Sequence, residues 1–86
     1  MRVLLVDDSL IFRRAQTKVL KSLGITDIVE AENGQIALDK LRLSEYAVDL
    51  VILDINMPVL SGIDTLKKIR MENTHLRAHV SSPPRE

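Results

Sequence analysis

Two uninterrupted aliphatic runs limit what this 86-residue chain can fold into. The runs, Val3 to Val6 and Leu50 to Leu53, contain no polar residue, and aspartate follows each of them directly. A short aliphatic run without alternation is typical of a strand that is buried on both faces. Such strands occur in parallel sheets with helices on both sides, so the runs favour an α/β fold. Neither run is long enough to span a membrane.

The segment after the first run has the periodicity of an amphipathic helix. Apolar residues recur at intervals of four, charged residues lie between them, and Gly24 follows as a helix stop. The recurring residues are Ile11, Ala15, Val19 and Leu23. Residues 25–31 then predict a second strand, which is less apolar than the other two.

Two further helices are predicted from the residues that begin them. Asn33 is a suitable N-cap for a helix, although an Asn33-Gly34 hairpin turn is the alternative interpretation. Ser61 and Asp64 fit a capping box at the start of a third helix. The predicted order of elements is therefore βαβαβα, around a parallel sheet.

The composition changes near residue 70. Residues 71–86 contain only four apolar residues, together with both histidines and two of the three prolines. We therefore expect a domain over 1–70 and a divergent tail over 71–86. A solvated tail is the favoured interpretation, and a remnant fourth strand at 78–82 is the alternative. The histidines are expected to be exposed residues of this tail rather than metal ligands.

Composition also excludes several functions. Twelve basic and twelve acidic residues give a formal net charge of zero, whereas proteins that bind nucleic acids or membrane surfaces usually carry a basic excess. The absence of cysteine excludes disulfides, thiolate metal sites and a cysteine nucleophile. No signal-peptide pattern is present, because two aspartates follow the first apolar run at once. We expect a soluble, cytoplasmic domain that binds neither nucleic acid nor membranes.

Acidic residues follow both aliphatic runs, Asp7 and Asp8 after the first and Asp54 after the second. Ligands of open parallel sheets bind at the carboxyl ends of the strands, where the winding direction reverses. If the reversal falls between these two strands, three carboxylates share one crevice and repel one another unless a cation compensates. Mg²⁺ prefers such ligands, and an aspartate beside it can attack phosphorus to form an aspartyl phosphate. A simple helix-capping role for Asp8 is the alternative.

Three motifs resemble the receiver domain of response regulators from two-component signalling. They are Leu4-Leu5-Val6-Asp7-Asp8-Ser9, Ala31-Glu32-Asn33-Gly34 followed by Ala37-Leu38, and Asp54-Ile55-Asn56-Met57-Pro58 with Gly62. The last motif fits the family pattern D-x-x-M-P-x-x-x-G, and together the motifs cover residues 1 to about 70. The resemblance implies a flavodoxin-like, doubly wound parallel sheet, incomplete here, in the strand order that a chemotaxis member of the family adopts.

The resemblance also implies roles for individual residues. Asp54 would accept a phosphoryl group from a histidine kinase, Asp8 would bind Mg²⁺ directly, and Asp7 would act nearby, partly through water. Asp54 and the backbone carbonyl of Asn56 would complete the protein ligands of the metal. The domain would not itself be an enzyme.

The chain departs from the family pattern after residue 70. Family members carry a Ser or Thr after a fourth strand, which drives the switch, and a Lys after a fifth strand. Ser81 or Ser82 would supply the hydroxyl if the tail forms a strand. No lysine follows Lys68, so Arg77 or Arg85 would have to replace the family's lysine.

The departure from the family pattern after residue 70 also affects the expected oligomeric state and function. Without the missing elements, the third strand would become an edge and one sheet face would be bare, so we expect a homodimer that covers both. The leading hypothesis is a phosphoacceptor receiver, and the alternative is a non-switching receiver that acts as a dimerising interaction module. A phosphatase is disfavoured because Asn56 stands where such enzymes carry an acid/base aspartate. A flavin-binding protein is disfavoured because no phosphate-binding loop follows the first strand.

Overall fold

The computed structural model describes residues 1–54, 60–73 and 75–81, which form one parallel α/β sheet structure. The elements in chain order are β1 (Arg2–Val6), α1 (Leu10–Ser22), β2 (Asp27–Ala31), α2 (Gly34–Leu43), β3 (Leu50–Asp54), α3 (Gly62–Glu72) and β4 (Arg77–Ser81). All strand pairs are parallel, in the order β2-β1-β3-β4, which confirms the predicted fold. None of the helices in the described ranges is both long enough and apolar enough to cross a membrane.

The tail contributes the fourth strand. β4 pairs with β3 over its whole length, from Leu50 beside Arg77 to Asp54 beside Ser81. The expectation of a solvated tail is therefore wrong for residues 77–81. The prediction that the third strand is an edge is wrong as well, because β3 lies between β1 and β4. Two apolar residues suffice for this strand, since Ala78 and Val80 pack against the core.

The core lies between one face of the sheet and the helices α2 and α3. Side chains alternate between the two faces of a strand, so every second strand residue points to this layer. Burial of a leucine or isoleucine side chain contributes about 1.5–3 kcal/mol, and this layer therefore supplies most of the hydrophobic stabilisation. Its buried members are Leu4, Val6, Ala31, Ala37, Leu38, Leu41, Val51, Leu53, Ile69 and Leu76.

The opposite face of the sheet is only partly covered, by α1. The apolar stripe predicted for this helix faces outward, since Ile11 is 80%, Val19 58% and Leu23 71% exposed. No residue of α1 is fully buried. A groove of about 330 Å³ runs between the helix and the sheet, and it is lined by Ala15, Gln16, Val19, Leu20, Ile52 and His79. The predicted bare sheet face is therefore present as an apolar groove.

Polar residues begin the helices where the sequence predicts them. The Asn33 Oδ1 accepts a hydrogen bond from the Ile36 N–H at 2.8 Å, so the helical interpretation is confirmed and the hairpin turn is wrong. The Ser61 Oγ accepts a hydrogen bond from the Asp64 N–H at 3.1 Å. Gly24 follows α1 with a φ of +87°, a left-handed conformation that glycine adopts without strain.

Candidate functional site

Three carboxylates meet at the carboxyl edge of the sheet. Asp54 is the last residue of β3, and Asp7 and Asp8 directly follow β1, the strand beside it. One carboxylate oxygen from each residue lies within 4.8 Å of those from the other two. The winding of the sheet reverses between β1 and β3, because β2 lies on one side of this pair and β4 on the other. The structure thus brings together the three acidic residues that the sequence singled out.

The three carboxylates differ in burial. Asp7 is 1% and Asp54 2% exposed, whereas Asp8 is open to solvent. The Asp7 Oδ1 accepts a hydrogen bond from the Ser9 N–H at 2.9 Å, and the Asp7 N–H donates to the carbonyl of Ala31 at 3.1 Å. Three carboxylates this close to one another repel unless a cation compensates their charge. An oxygen-only ligand set with one open side therefore fits a hard divalent cation such as Mg²⁺.

Ser9, rather than Asp8, caps the first helix. The Ser9 Oγ accepts a hydrogen bond from the Phe12 N–H at 3.3 Å, and Ser9 has the extended backbone of an N-cap. The alternative that Asp8 is simply a helix cap is therefore wrong. Its carboxylate instead faces the other two acidic residues.

Arg13 is a site residue that the sequence analysis missed. Its Nη1 donates a hydrogen bond to the backbone carbonyl of Asp7 at 2.6 Å, and its Nε forms an ion pair with the Glu30 Oε1 at 3.2 Å. An arginine one turn into a helix after two aspartates is a weak signal by itself. Its partner Glu30 lies on β2, whereas Arg13 lies on α1, so no local sequence pattern predicts the contact between them.

The structure describes only some of the residues predicted in the tail and in the loop after β3. Ser81 is the register partner of Asp54, at the same edge of the sheet as the acidic residues. Arg77 pairs with Leu50 at the opposite end of the strand, so it cannot replace the family's lysine. The carbonyl of Asn56 lies outside the described residues, as do the Met57-Pro58 motif, Ser82 and Arg85.

The histidines do not form a helical pair. His75 precedes β4 and His79 lies within it, and both are exposed. In the part of the chain that the structure describes, the only group of three side chains suited to a metal is Asp7, Asp8 and Asp54. The expectation that the histidines are exposed is confirmed.

Together, these features define the class of protein: a doubly wound parallel sheet with an acidic, oxygen-ligand crevice at its switch point. The family model described as "Response regulator receiver domain" matches residues 3–82. The chain belongs to this family of receiver domains of two-component and chemotaxis signalling.

Known proteins of several bacteria resemble the chain. A protein-glutamate methylesterase/protein-glutamine glutaminase of Desulfotalea psychrophila is 46% identical over 71 residues, which are 81% of this chain and 19% of that protein. Chemotaxis protein CheY1 of Helicobacter pylori is 41% identical over 73 residues, which are 85% of this chain and 58% of that protein. A chain in the crystal structure of the CheX–CheY–BeF3–Mg²⁺ complex of Borrelia burgdorferi matches with a TM-score of 0.90 and 33% identity, over 95% of this chain and 61% of that one.

These relatives correct one expectation from the sequence. The expectation that the protein is not an enzyme is wrong as stated, because the Desulfotalea psychrophila relative bears the name of an enzyme. The chain spans about a fifth of that relative and somewhat more than half of CheY1. A receiver of this kind therefore occurs as part of a protein that is named as an enzyme.

Proposed function

We propose that this receiver accepts a phosphoryl group on Asp54 from a histidine kinase and thereby takes part in a phosphorelay. The observation that carries the proposal is the buried Asp54 carboxylate beside the oxygens of Asp7 and Asp8, all within 4.8 Å of one another. Membership of the receiver family supports it, because phosphoryl acceptance is typical of that family. The acidic site lies within residues 1–70, and we further propose that the protein is cytoplasmic.

In the proposed step, a carboxylate oxygen of Asp54 attacks the phosphorus of a phosphohistidine. A P–O bond to Asp54 forms while the P–N bond to the imidazole breaks, and the imidazole leaves with the bonding electron pair. The product is an acyl phosphate on Asp54, and the step needs no oxidant or reductant. Because the phosphoryl group brings more negative charge into an acidic crevice, the site requires a compensating cation.

The residues present fit Mg²⁺ as that cation. Asp8 and Asp54 would hold it, with Asp7 nearby and the backbone carbonyl of Asn56 as a further oxygen ligand. When bound, the ion would neutralise charge on the transferring group and orient it. The chain itself holds the carboxylates of Asp7 and Asp54 apart from bulk water, and the N–H of Ser9 fixes the Asp7 carboxylate through a hydrogen bond.

We further propose that a hydroxyl from the tail, residues 71–86, contacts the phosphoryl oxygens. Ser81 and Ser82 are the candidates. The register of Ser81 with Asp54 supports Ser81, since parallel neighbours of one register lie side by side about 4.8 Å apart. This hydroxyl would act as the switch of the receiver.

Intact mass spectrometry after incubation with Mg²⁺ and acetyl phosphate tests the proposed function. We expect the wild type to gain one phosphoryl group and Asp54→Asn to gain none. Asp39→Asn, which removes an exposed carboxylate of α2, is the matched control and should behave like the wild type. A wild type that gains nothing, or an Asp54→Asn variant that is modified equally, would overturn the proposal.

A dimerising interaction module is the second candidate function. The outward-facing apolar residues of α1 and the groove beside them favour it, because a second copy would bury them. The edge of β3 plays no part in such a dimer, since β4 covers it. Exposed cations border the stripe, namely Arg14, Lys18 and Lys21. Like charges from two copies would then approach one another, so salt should strengthen the association.

Sedimentation velocity at micromolar concentration, in about 0.1 M and about 0.5 M NaCl, tests this candidate. We expect a dimer whose population rises with salt. Val19→Lys places a charge in the stripe and should yield a monomer, whereas Ile63→Lys, at an exposed apolar position of α3, should not. A wild type that stays monomeric at both salt concentrations contradicts the dimer.

A further inference from the structure

The guanidinium of Arg13 joins the first helix, the second strand and the acidic site. Its side chain is only 13% exposed, although it lies on a helix that buries no residue completely. One nitrogen, Nη1, donates to the Asp7 carbonyl at 2.6 Å, and another, Nε, donates to the Glu30 Oε1 on β2 at 3.2 Å. The planar fork of arginine allows it to make both contacts at once.

The carbonyl that Arg13 contacts belongs to the peptide that joins Asp7 to Asp8. The other peptide of Asp7 is held from β2, since the Asp7 N–H donates to the carbonyl of Ala31 at 3.1 Å. The backbone on both sides of Asp7 is therefore fixed by hydrogen bonds. The direction of the Asp7–Asp8 peptide sets where both carboxylates point, because each side chain leaves the backbone at one end of that peptide.

We propose that Arg13 is a positioning residue, oriented by Glu30, that fixes the Asp7–Asp8 peptide and through it the two carboxylates of the acidic site. The inference rests on the proposed function, in which these carboxylates surround a cation. Mutation of residues that orient the ligands of a metal site typically weakens metal affinity by about 10- to 100-fold. Arg13 thus acts on the cation site without touching the cation.

A purely electrostatic role predicts the opposite result. Arg13 carries a positive charge beside a site for a cation, so removing that charge alone should tighten the binding of Mg²⁺. A positioning role predicts weaker binding when the side chain is shortened or made neutral. Arg14 is an exposed neighbour with the same charge on the same helix, and it makes neither of these two contacts. It therefore serves as the matched control.

The first experiment is calorimetric titration of the whole chain with Mg²⁺ alone. We expect Arg13→Gln to weaken binding about tenfold and Glu30→Gln to weaken it less, because Glu30 acts through Arg13. Arg13→Lys keeps the charge but cannot make both contacts, so it should recover only part of the affinity. Arg14→Gln should leave the affinity unchanged or raise it. Equal or tighter binding by Arg13→Gln would overturn the proposal.

A second readout does not depend on the metal. The Ser9 N–H donates to the Asp7 Oδ1 at 2.9 Å, so its hydrogen exchange reports how firmly that carboxylate is held. In metal-free protein, NMR should show faster exchange at Ser9 in Arg13→Gln than in Arg14→Gln, at equal global stability in urea. Unchanged exchange would overturn the positioning role. A wild type that bound no Mg²⁺ would contradict the proposed cation site. The hydrogen exchange of Ser9 would still test the role of Arg13.

Discussion

Asp54 and Ser81 are register partners at the carboxyl ends of β3 and β4. Parallel neighbours stand about 4.8 Å apart, so the tail places a serine directly beside the proposed phosphoryl acceptor. The same register places Arg77 at the opposite end of β4, beside Leu50. A tail poor in apolar residues thus places the proposed switch residue, Ser81, beside Asp54 in the sheet, and within the described residues it brings no lysine or arginine to that edge.

We predict that Ser81→Ala slows the phosphorylation of Asp54 by acetyl phosphate about tenfold or more. A hydrogen bond to a charged group is worth about 1.5–3 kcal/mol, and each 1.36 kcal/mol corresponds to about a tenfold change in rate. A time course of intact mass at fixed Mg²⁺ concentration measures the effect.

Ser82→Ala is the matched control, because Ser82 is the other candidate hydroxyl. It should phosphorylate at the wild-type rate. A larger effect at Ser82 than at Ser81 would transfer the role to Ser82, and no effect at either position would show that the tail supplies no hydroxyl to the reaction.

Charge repulsion in the acidic crevice predicts that Asp54→Asn is more stable than the wild type in the absence of divalent cations. Neutralising one of three neighbouring carboxylates removes its repulsion with the other two. Mg²⁺ should stabilise the wild type by about 1.4 kcal/mol at ten times its dissociation constant, and Asp54→Asn by much less. Urea unfolding followed by circular dichroism, with EDTA or with Mg²⁺, measures both effects. An equal Mg²⁺ response in the two proteins, or in neither, would contradict the prediction; Asp39→Asn should respond like the wild type.

Local sequence patterns predict the elements of this fold better than they predict the packing. The aliphatic runs and the N-caps at Asn33 and Ser61 mark strands and helices, because period and capping are properties of neighbouring residues. The face that α1 buries escapes prediction, since Ile11 and Val19 form a regular stripe that nevertheless faces solvent. The orientation of α1 depends on the sheet residues against which it packs, and many of these residues lie far away in the chain.

The same distinction holds for the site. The acidic residues are predictable because each follows a strand at once, and parallel strands end at one edge of the sheet. The fourth strand is not predictable in this way, because its two inward apolar residues, Ala78 and Val80, are too few to establish a period, and the strand forms by pairing with β3, which is distant in sequence. The contact between Arg13 and Glu30 likewise joins residues on separate elements, so only the folded chain reveals it.

The close approach of α2 to α3 requires glycine at position 34. A Cβ there would lie 1.9 Å from the Thr65 Oγ1 and 3.1 Å from the Leu60 carbonyl oxygen. Overpacking of this kind costs about 1–3 kcal/mol, so Gly34→Ala should lower the free energy of unfolding by that amount. Urea unfolding measures the loss.

A double-mutant cycle identifies the cause of that loss. Thr65→Ala removes the hydroxyl that the new Cβ would meet, so Gly34→Ala should cost about 1 kcal/mol less in the Thr65→Ala background. Gly24→Ala is the control, because its cost comes from a positive φ with no atom within 4 Å, and it should add to Thr65→Ala without coupling. Coupling at Gly24, or none at Gly34, would contradict the packing argument.

A bidentate ion pair joins the C-terminal ends of α2 and α3. The Arg42 Nε donates to the Glu72 Oε1 at 2.7 Å, and the Arg42 Nη2 donates to the Glu72 Oε2 at 3.2 Å. Hydrogen bonding from Arg42 lowers the pKa of the Glu72 carboxyl, and the same contact raises the pKa of Arg42. Both side chains are solvent-accessible, so salt screens the pair.

The direction of the Glu72 shift sets the pH dependence of this pair. Because the folded protein holds Glu72 at a lower pKa than the unfolded chain does, the stabilisation is complete above the ordinary glutamate pKa of about 4.3 and is lost as the pH falls below it. We therefore expect Glu72→Gln to be less stable than the wild type at pH 7 and indistinguishable from it once the pH lies below the folded pKa. Urea unfolding across this range measures the difference, which should also shrink at about 1 M NaCl. The Arg42→Gln background is the control: there, Glu72→Gln should have little effect at either pH, and a difference that persisted in acid would point to packing rather than charge.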